Sequence, residues 1–233
     1  MRYNRVPRLI EITCVALAAL LGAGATLAQE AAHDPDPARF EAEIRAFEAW
    51  DRQNSFPKDS VLFVGSSSIR MWQTAESFPD LAVINRGFGG SHASDVNHFA
   101  PRIVLKYAPR TIVFYAGDND LADGKSPQQV AADFERFVEL VHAKLPDTEI
   151  TYLPVKPSLA RWKLWPQMQA TNALVQAFID GKERLAYVDT ATPMLGADGR
   201  PRPELFLEDG LHMNAQGYQI WSDLLRQQLA APR

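Results

Sequence analysis

Five short apolar runs, separated by longer segments with helical periodicity, constrain the fold more than any other feature of this chain. Val61-Leu62-Phe63-Val64 ends at a glycine and suits a buried strand, and similar runs stand at 81–84, 111–115, 149–153 and 185–188. Between them, 93–106, 127–143 and 166–179 read as helices, and a last helix is expected from Asn214, a candidate N-cap, to 229. Ahead of the first strand, Phe40, Ile44, Phe47 and Trp50 fall at helical spacing within 38–50. Strands alternating with helices need parallel crossovers, which cover both faces of the sheet. The expected class is α/β: a three-layer α/β/α sandwich around a mostly parallel five-stranded sheet. Neither a repeat nor a long linker interrupts the pattern, so 55–233 reads as one domain, preceded by a polar segment and helix at 29–54.

The first residues carry a different signal. Arg2, Arg5 and Arg8 precede a mostly apolar stretch, 12–27, whose 16 residues fall short of the ~20 that a membrane helix needs. The arrangement fits a secretory signal peptide over 1–28, with small-residue cleavage sites at Ala23-Gly24-Ala25 or Thr26-Leu27-Ala28. Cleavage after Ala28 is expected, leaving 205 residues exported to the periplasm or beyond, with no stable membrane span. The leader carries a net charge of +2, so a chain at −4 becomes one at −6, which argues against nucleic acid as a partner. Cys14, the single cysteine, leaves with the leader, and with it any disulfide, thiol nucleophile or cysteine metal site.

Sheets of this kind bind ligands beyond the carboxyl ends of their strands. Small and polar residues collect at those ends: Gly65-Ser66-Ser67-Ser68, Asn85-Arg86-Gly87-Phe88-Gly89-Gly90, Gly117-Asp118-Asn119-Asp120 and Pro154-Val155-Lys156-Pro157. The loop ahead of the last helix reads Glu208-Asp209-Gly210-Leu211-His212-Met213-Asn214. A serine hydroxyl is a poor nucleophile until a base takes its proton; histidine suits that task, and a carboxylate behind it fixes the tautomer. Asp209 and His212 lie three residues apart, close enough to share one side of a turn, and the serine run belongs at the same sheet edge. A helix starting near Ser68 would offer free N–H groups to a developing oxyanion. Gly90, lacking a side chain, can bring its N–H close to substrate, and the Asn119 carboxamide could add a donor. Each feature also has a plainer use, as helix cap, turn or loop amide, and Ser66, Ser67 and Ser68 remain alternatives on these grounds.

Phe63-Val64-Gly65-Ser66-Ser67-Ser68-Ile69, the glycine segment ending at Gly90, Gly117-Asp118-Asn119-Asp120 and Asp209-Gly210-Leu211-His212 resemble, in order and spacing, the blocks of the SGNH (GDSL-type) hydrolase superfamily. The resemblance spans about 61–225 and implies a flavodoxin-like sheet and a carboxylic ester hydrolase. It implies Ser67 as nucleophile, with Asp209 and His212 completing the triad, and the N–H groups of Ser67 and Gly90 with the Asn119 amide as oxyanion hole. One departure stands out: Ser66 occupies the place where the family's first block has Asp.

Competing patterns fail on their details. Gly87-Phe88-Gly89 follows a strand as a dinucleotide fingerprint would, yet His92 holds the third glycine position and no acid lies between Asp95 and Asp118. A Gly-x-Ser-x-Gly elbow would need glycine at Ile69. Ala122 breaks a calcium-loop reading of Asp118, Asp120 and Asp123. No cofactor or metal is expected, although a metal phosphoesterase built on Asp118, Asp120, Asp209 and His212 is an alternative. The substrate is expected to be a small-molecule or glycan ester with a short acyl or acetyl group. His92, Lys156 and Arg161 are candidate substrate contacts, the two cations suiting an anionic group, with Trp162 and Trp165 nearby for an acyl chain or sugar face. A non-catalytic binding module of the same fold, and an acyltransferase to a surface sugar, are the other readings.

Overall fold

The structure, a computed structural model, describes Met1 and residues 34–230. All but Met1 of the leader expected at 1–28, with its candidate cleavage sites, falls outside them. Five strands form one sheet: β1 (Val61–Gly65), β2 (Val83–Gly87), β3 (Thr111–Tyr115), β4 (Glu149–Tyr152) and β5 (Leu185–Tyr187). They lie in the order β2-β1-β3-β4-β5 and every neighbouring pair is parallel. The α-helices are α1 (Glu41–Asp51), α2 (Ser67–Arg70), α3 (Thr74–Ser77), α4 (Ala93–Ile103), α5 (Asp118–Ala122), α6 (Pro127–His142), α7 (Trp165–Ile179) and α8 (Ala215–Ala230).

Successive strand residues point to opposite faces, and the core divides accordingly. Leu62, Val64, Ile112, Phe114, Ile150 and Tyr152 pack with Ile44 of α1, Phe99 of α4, Phe137 of α6 and Val175 of α7. Val61, Phe63, Val113 and Tyr115 pack on the other face with Ile69 of α2, Trp72, Phe78, and Trp221 and Leu225 of α8. This is the three-layer α/β/α arrangement with a flavodoxin-like strand order. Phe40 and Ile44 belong to the first of these cores, so the helix of the 29–54 segment is built into the same body as the sheet.

The second strand and the helix that follows it depart most from the sequence expectation. The second strand begins at Val83 rather than at 81, because Leu81 closes a turn onto the Phe78 carbonyl at 3.1 Å. It then runs on through Arg86, whose buried guanidinium is paired with Asp51 at 2.6 Å, so a charged residue extends a strand that apolarity alone would have ended. The helix expected over 93–106 ends at Ile103, and a 3-10 turn, Leu105–Tyr107, follows. The short helices α3 and α5 span only one turn each, too little to show a period.

The strand order places the topological switch between β1 and β3, the neighbouring strands whose connections run in opposite directions. Gly65, Gly87 and Tyr115 stand in register at the carboxyl ends. Gly65 has a φ of +139°, and a Cβ there would lie 1.8 Å from the Tyr115 carbonyl oxygen. Only glycine lets β1 turn against β3 this closely and deliver Ser67 directly above the sheet edge.

Candidate active site

Ser67 opens α2, with Ser66 as its N-cap residue in extended conformation. A helix's first N–H groups have no acceptor of their own, so α2 turns donors toward the space above β1. The N-cap carbonyl of Ser66 accepts from the amides of Ile69 and Arg70, both at 3.0 Å, but its buried hydroxyl caps nothing and finds no protein partner. The hydroxyl that does find one is that of Ser67: its Oγ lies 3.0 Å from His212 Nε2 across 145 residues of sequence.

Asp209 organises the other half. Its Oδ1 accepts the backbone N–H groups of Leu211 and His212, both at 2.9 Å, and its Oδ2 stands 2.6 Å from His212 Nδ1. One carboxylate thus folds the Asp-Gly-Leu-His loop and holds the ring it presents. Ionised carboxylate only accepts, so Nδ1 carries the proton and Nε2 is left to accept from the Ser67 hydroxyl. The hydrogen bond from His212, more than any other influence, holds the Asp209 carboxyl down at about 2, below the usual aspartate range. A hydroxyl facing a free imidazole nitrogen, with a carboxylate behind the ring, can lose its proton as it attacks a carbonyl carbon.

The loops that carry Gly90 and Asn119 meet each other. Asn119 Nδ2 donates to the carbonyl of Ser91, the residue after Gly90, at 3.1 Å. Gly90 has a φ of +82° and nothing within 4 Å of where a Cβ would stand. Its glycine is therefore required by backbone conformation, and the space over it is open. A family model described as the GDSL-like lipase/acylhydrolase family matches residues 65–220, a span holding all five of these residues. The chain belongs to that family.

Solved structures share the fold of this chain. A Bacteroides thetaiotaomicron GDSL-like lipase superposes with a TM-score of 0.66 at 21% identity, over 83% of this chain and 97% of that one. A Streptococcus pneumonia protein named for platelet activating factor gives 0.73 at 21% identity, over 82% and 94%. An acetyl-xylooligosaccharide esterase of Geobacillus stearothermophilus, solved as a mutant, gives 0.63 at 15% identity, over 76% and 97%. At these identities the likeness is one of fold. No curated protein matches the chain in sequence.

Within this GDSL-like fold the three candidate substrate contacts all point inward. His92 is buried at the start of α4, and its Nε2 lies 2.8 Å from Asp123 Oδ2. Lys156 is buried too, its Nζ donating to the carbonyl of Leu211 at 2.8 Å, and burial pulls its pKa below the ordinary lysine value. Arg161 bridges Asp118 Oδ2 at 3.0 Å and Asn119 Oδ1 at 2.9 Å. Both cations are thus engaged with protein partners. Trp162 and Trp165 remain part-exposed and stack on each other, ring centroids 6.0 Å apart.

The sequence suggested Asp118, Asp120 and Asp123 only as cation ligands and gave no sign that Asp120 holds the loops of Gly90 and Asn119 together. Buried Asp120 accepts the Ala93 amide at 3.0 Å, and burial raises its pKa. Buried Lys125 neutralises it at 3.2 Å while also pairing with Asp133 and Asp34 at 2.7 and 2.5 Å. Burial pulls the Lys125 pKa down, but these three carboxylates outweigh that and leave it above the ordinary lysine value. The one sequence signal for this network was the run of acids around Asn119. Among the described residues no His, Cys, Asp and Glu cluster is spaced to hold a metal ion, and no helix is long and apolar enough to cross a membrane.

Proposed function

We propose that this GDSL-family chain is an exported serine hydrolase that cleaves carboxylic esters with short acyl or acetyl groups through an acyl-enzyme on Ser67. The observation that carries the reading is the unbroken hydrogen-bonded line from the Ser67 hydroxyl through His212 to Asp209. Ser67 Oγ attacks the ester carbonyl carbon while its proton passes to His212 Nε2. The resulting oxyanion is received by the N–H groups of Ser67 and Gly90 and by Asn119 Nδ2. His212 then gives its proton to the departing alcohol as the carbon–oxygen bond breaks, leaving the acyl group on Ser67. Water, deprotonated by His212, attacks the acyl-enzyme; the carboxylic acid departs and the proton returns to Ser67. The leader expected over 1–28 supports export, and the sequence after that leader holds no long apolar segment suited to a lid, which supports a short acyl group.

The test is labelling by an active-site-directed fluorophosphonate, mapped by mass spectrometry. Ser67 should be modified in the native protein and unmodified in His212→Ala. A folded, unlabelled native protein would replace this reading with a binding module.

A further inference from the structure

We propose that Arg161 is a positioning residue for the ester hydrolysis proposed above, acting through Asn119 rather than on substrate; this rests on Asn119 being an oxyanion donor. A carboxamide has an accepting and a donating end that differ little in shape, and an oxyanion hole works only if the donating end faces the substrate. Asn119 is held in one orientation by two partners with opposite demands. Arg161 Nη2, which can only donate, faces Oδ1 at 2.9 Å, and the Ser91 carbonyl, which can only accept, faces Nδ2 at 3.1 Å. Rotating the amide by half a turn would set donor against donor and acceptor against acceptor. The second Nδ2 hydrogen is left for an oxyanion.

Arg161 is itself fixed. Its Nη1 pairs at 3.0 Å with Asp118, and Asp118 Oδ1 accepts the Asn119 backbone amide at 3.1 Å, so one carboxylate holds both partners. The Arg161 amide donates to Ser158 Oγ at 3.2 Å, and only 20% of its side chain is exposed. A cation on the carbonyl oxygen also draws electron density from the amide nitrogen, which strengthens its N–H as a donor. The benefit grows as negative charge develops, so it belongs to the transition state and should appear in kcat rather than in KM.

The experiment is a double-mutant cycle on the full chain with p-nitrophenyl acetate: Asn119→Ala, Arg161→Met and the two combined, with Arg161→Lys as a milder variant. Asn119→Ala should lower kcat by about 10²–10³-fold. Arg161→Met should lower it by about 10–100-fold with KM nearly unchanged, and by less than about threefold when Asn119 is already alanine. Arg161→Lys, which can reach Asp118 or Asn119 but lacks the fork to hold both, should fall between and lose its effect in the same background. An equal loss from either Arg161 substitution in both backgrounds would overturn the proposal while leaving Asn119 its role. So would a rise in KM confined to an anionic ester such as p-nitrophenyl hemisuccinate, which would mark a substrate contact. Full activity in Asn119→Ala would overturn both the proposal and the assignment of Asn119. If Arg161→Met does not fold, as judged by thermal unfolding, the lysine variant completes the cycle.

Discussion

Asp120 accepts the backbone amide of Ala93 at 3.0 Å, so the loop that carries Asn119 also caps the helix that begins just beyond Gly90. The two loops proposed to receive the oxyanion are thereby set relative to each other by a buried carboxylate that touches no reacting atom. Their spacing is stiff because both ends of that contact are buried, one in α5 and the other at the start of α4. Pre-set donors of this kind need no reorganisation when charge develops.

Removing that carboxylate should therefore cost both stability and rate. Asp120→Ala strands the buried Ala93 amide, worth about 1–3 kcal/mol in urea unfolding. Lys125 keeps Asp133 and Asp34, so the loss should not reach that of an unpaired buried charge. Asp120→Asn, which can still accept from Ala93, should lose less. Equal stability of native protein and Asp120→Ala would dissociate this bond from the fold.

Asp209→Asn should fold and yet turn over about 10²–10⁴-fold more slowly, because an amide can set the imidazole in the wrong tautomer. The partial exposure of Asp209, 47% of its side chain, points to the milder end of that range. Steady-state kinetics beside a circular dichroism spectrum would separate a chemical loss from a folding one.

Acid should reveal the same carboxylate in two measurements. The Asp209 pKa stands at about 2 in the folded chain and near 3.9 when unfolded. Its contribution to stability is thus present above pH ~4 and lost as pH falls through about 2. The melting-temperature gap between native protein and Asp209→Asn should close over that interval. In kinetics, Asp209 stays ionised well above a pH of about 2, so it should not steepen the acid limb of kcat/KM beyond unit slope. A slope of two would mean that a second group must also lose its proton.

Gly90→Ala should destabilise the chain by about 1–2 kcal/mol through its left-handed backbone alone, since no atom lies close enough to clash. If the Gly90 amide donates to the oxyanion, kcat should fall further than that strain explains as the peptide rotates to relieve it. An unchanged melting temperature would indicate that the loop adopts another backbone conformation without cost.

Local pattern determined much of this protein. Buried strands revealed themselves as apolar runs, and 111–115 matches β3 at both ends. Asn214 caps α8 as its residue type suggested, its Oδ1 accepting from the amides of Gln216 and Gly217. The Asp-x-x-His spacing was enough to pair Asp209 with His212, because a turn brings residues three apart together wherever it lies. Tertiary structure decided what spans long stretches of sequence: the bonds from Ser67 to His212 across 145 residues, Lys156 to Leu211 across 55, Arg161 to Asn119 across 42 and Asp120 to Ala93 across 27. Lys156, Arg161 and His92 were legible as residues at the right sheet edge but not in the direction they face. A charged side chain beside a site can reach outward to a ligand or inward to a buried carbonyl or carboxylate. Which it does depends on partners that only the packed sheet brings within hydrogen-bonding distance.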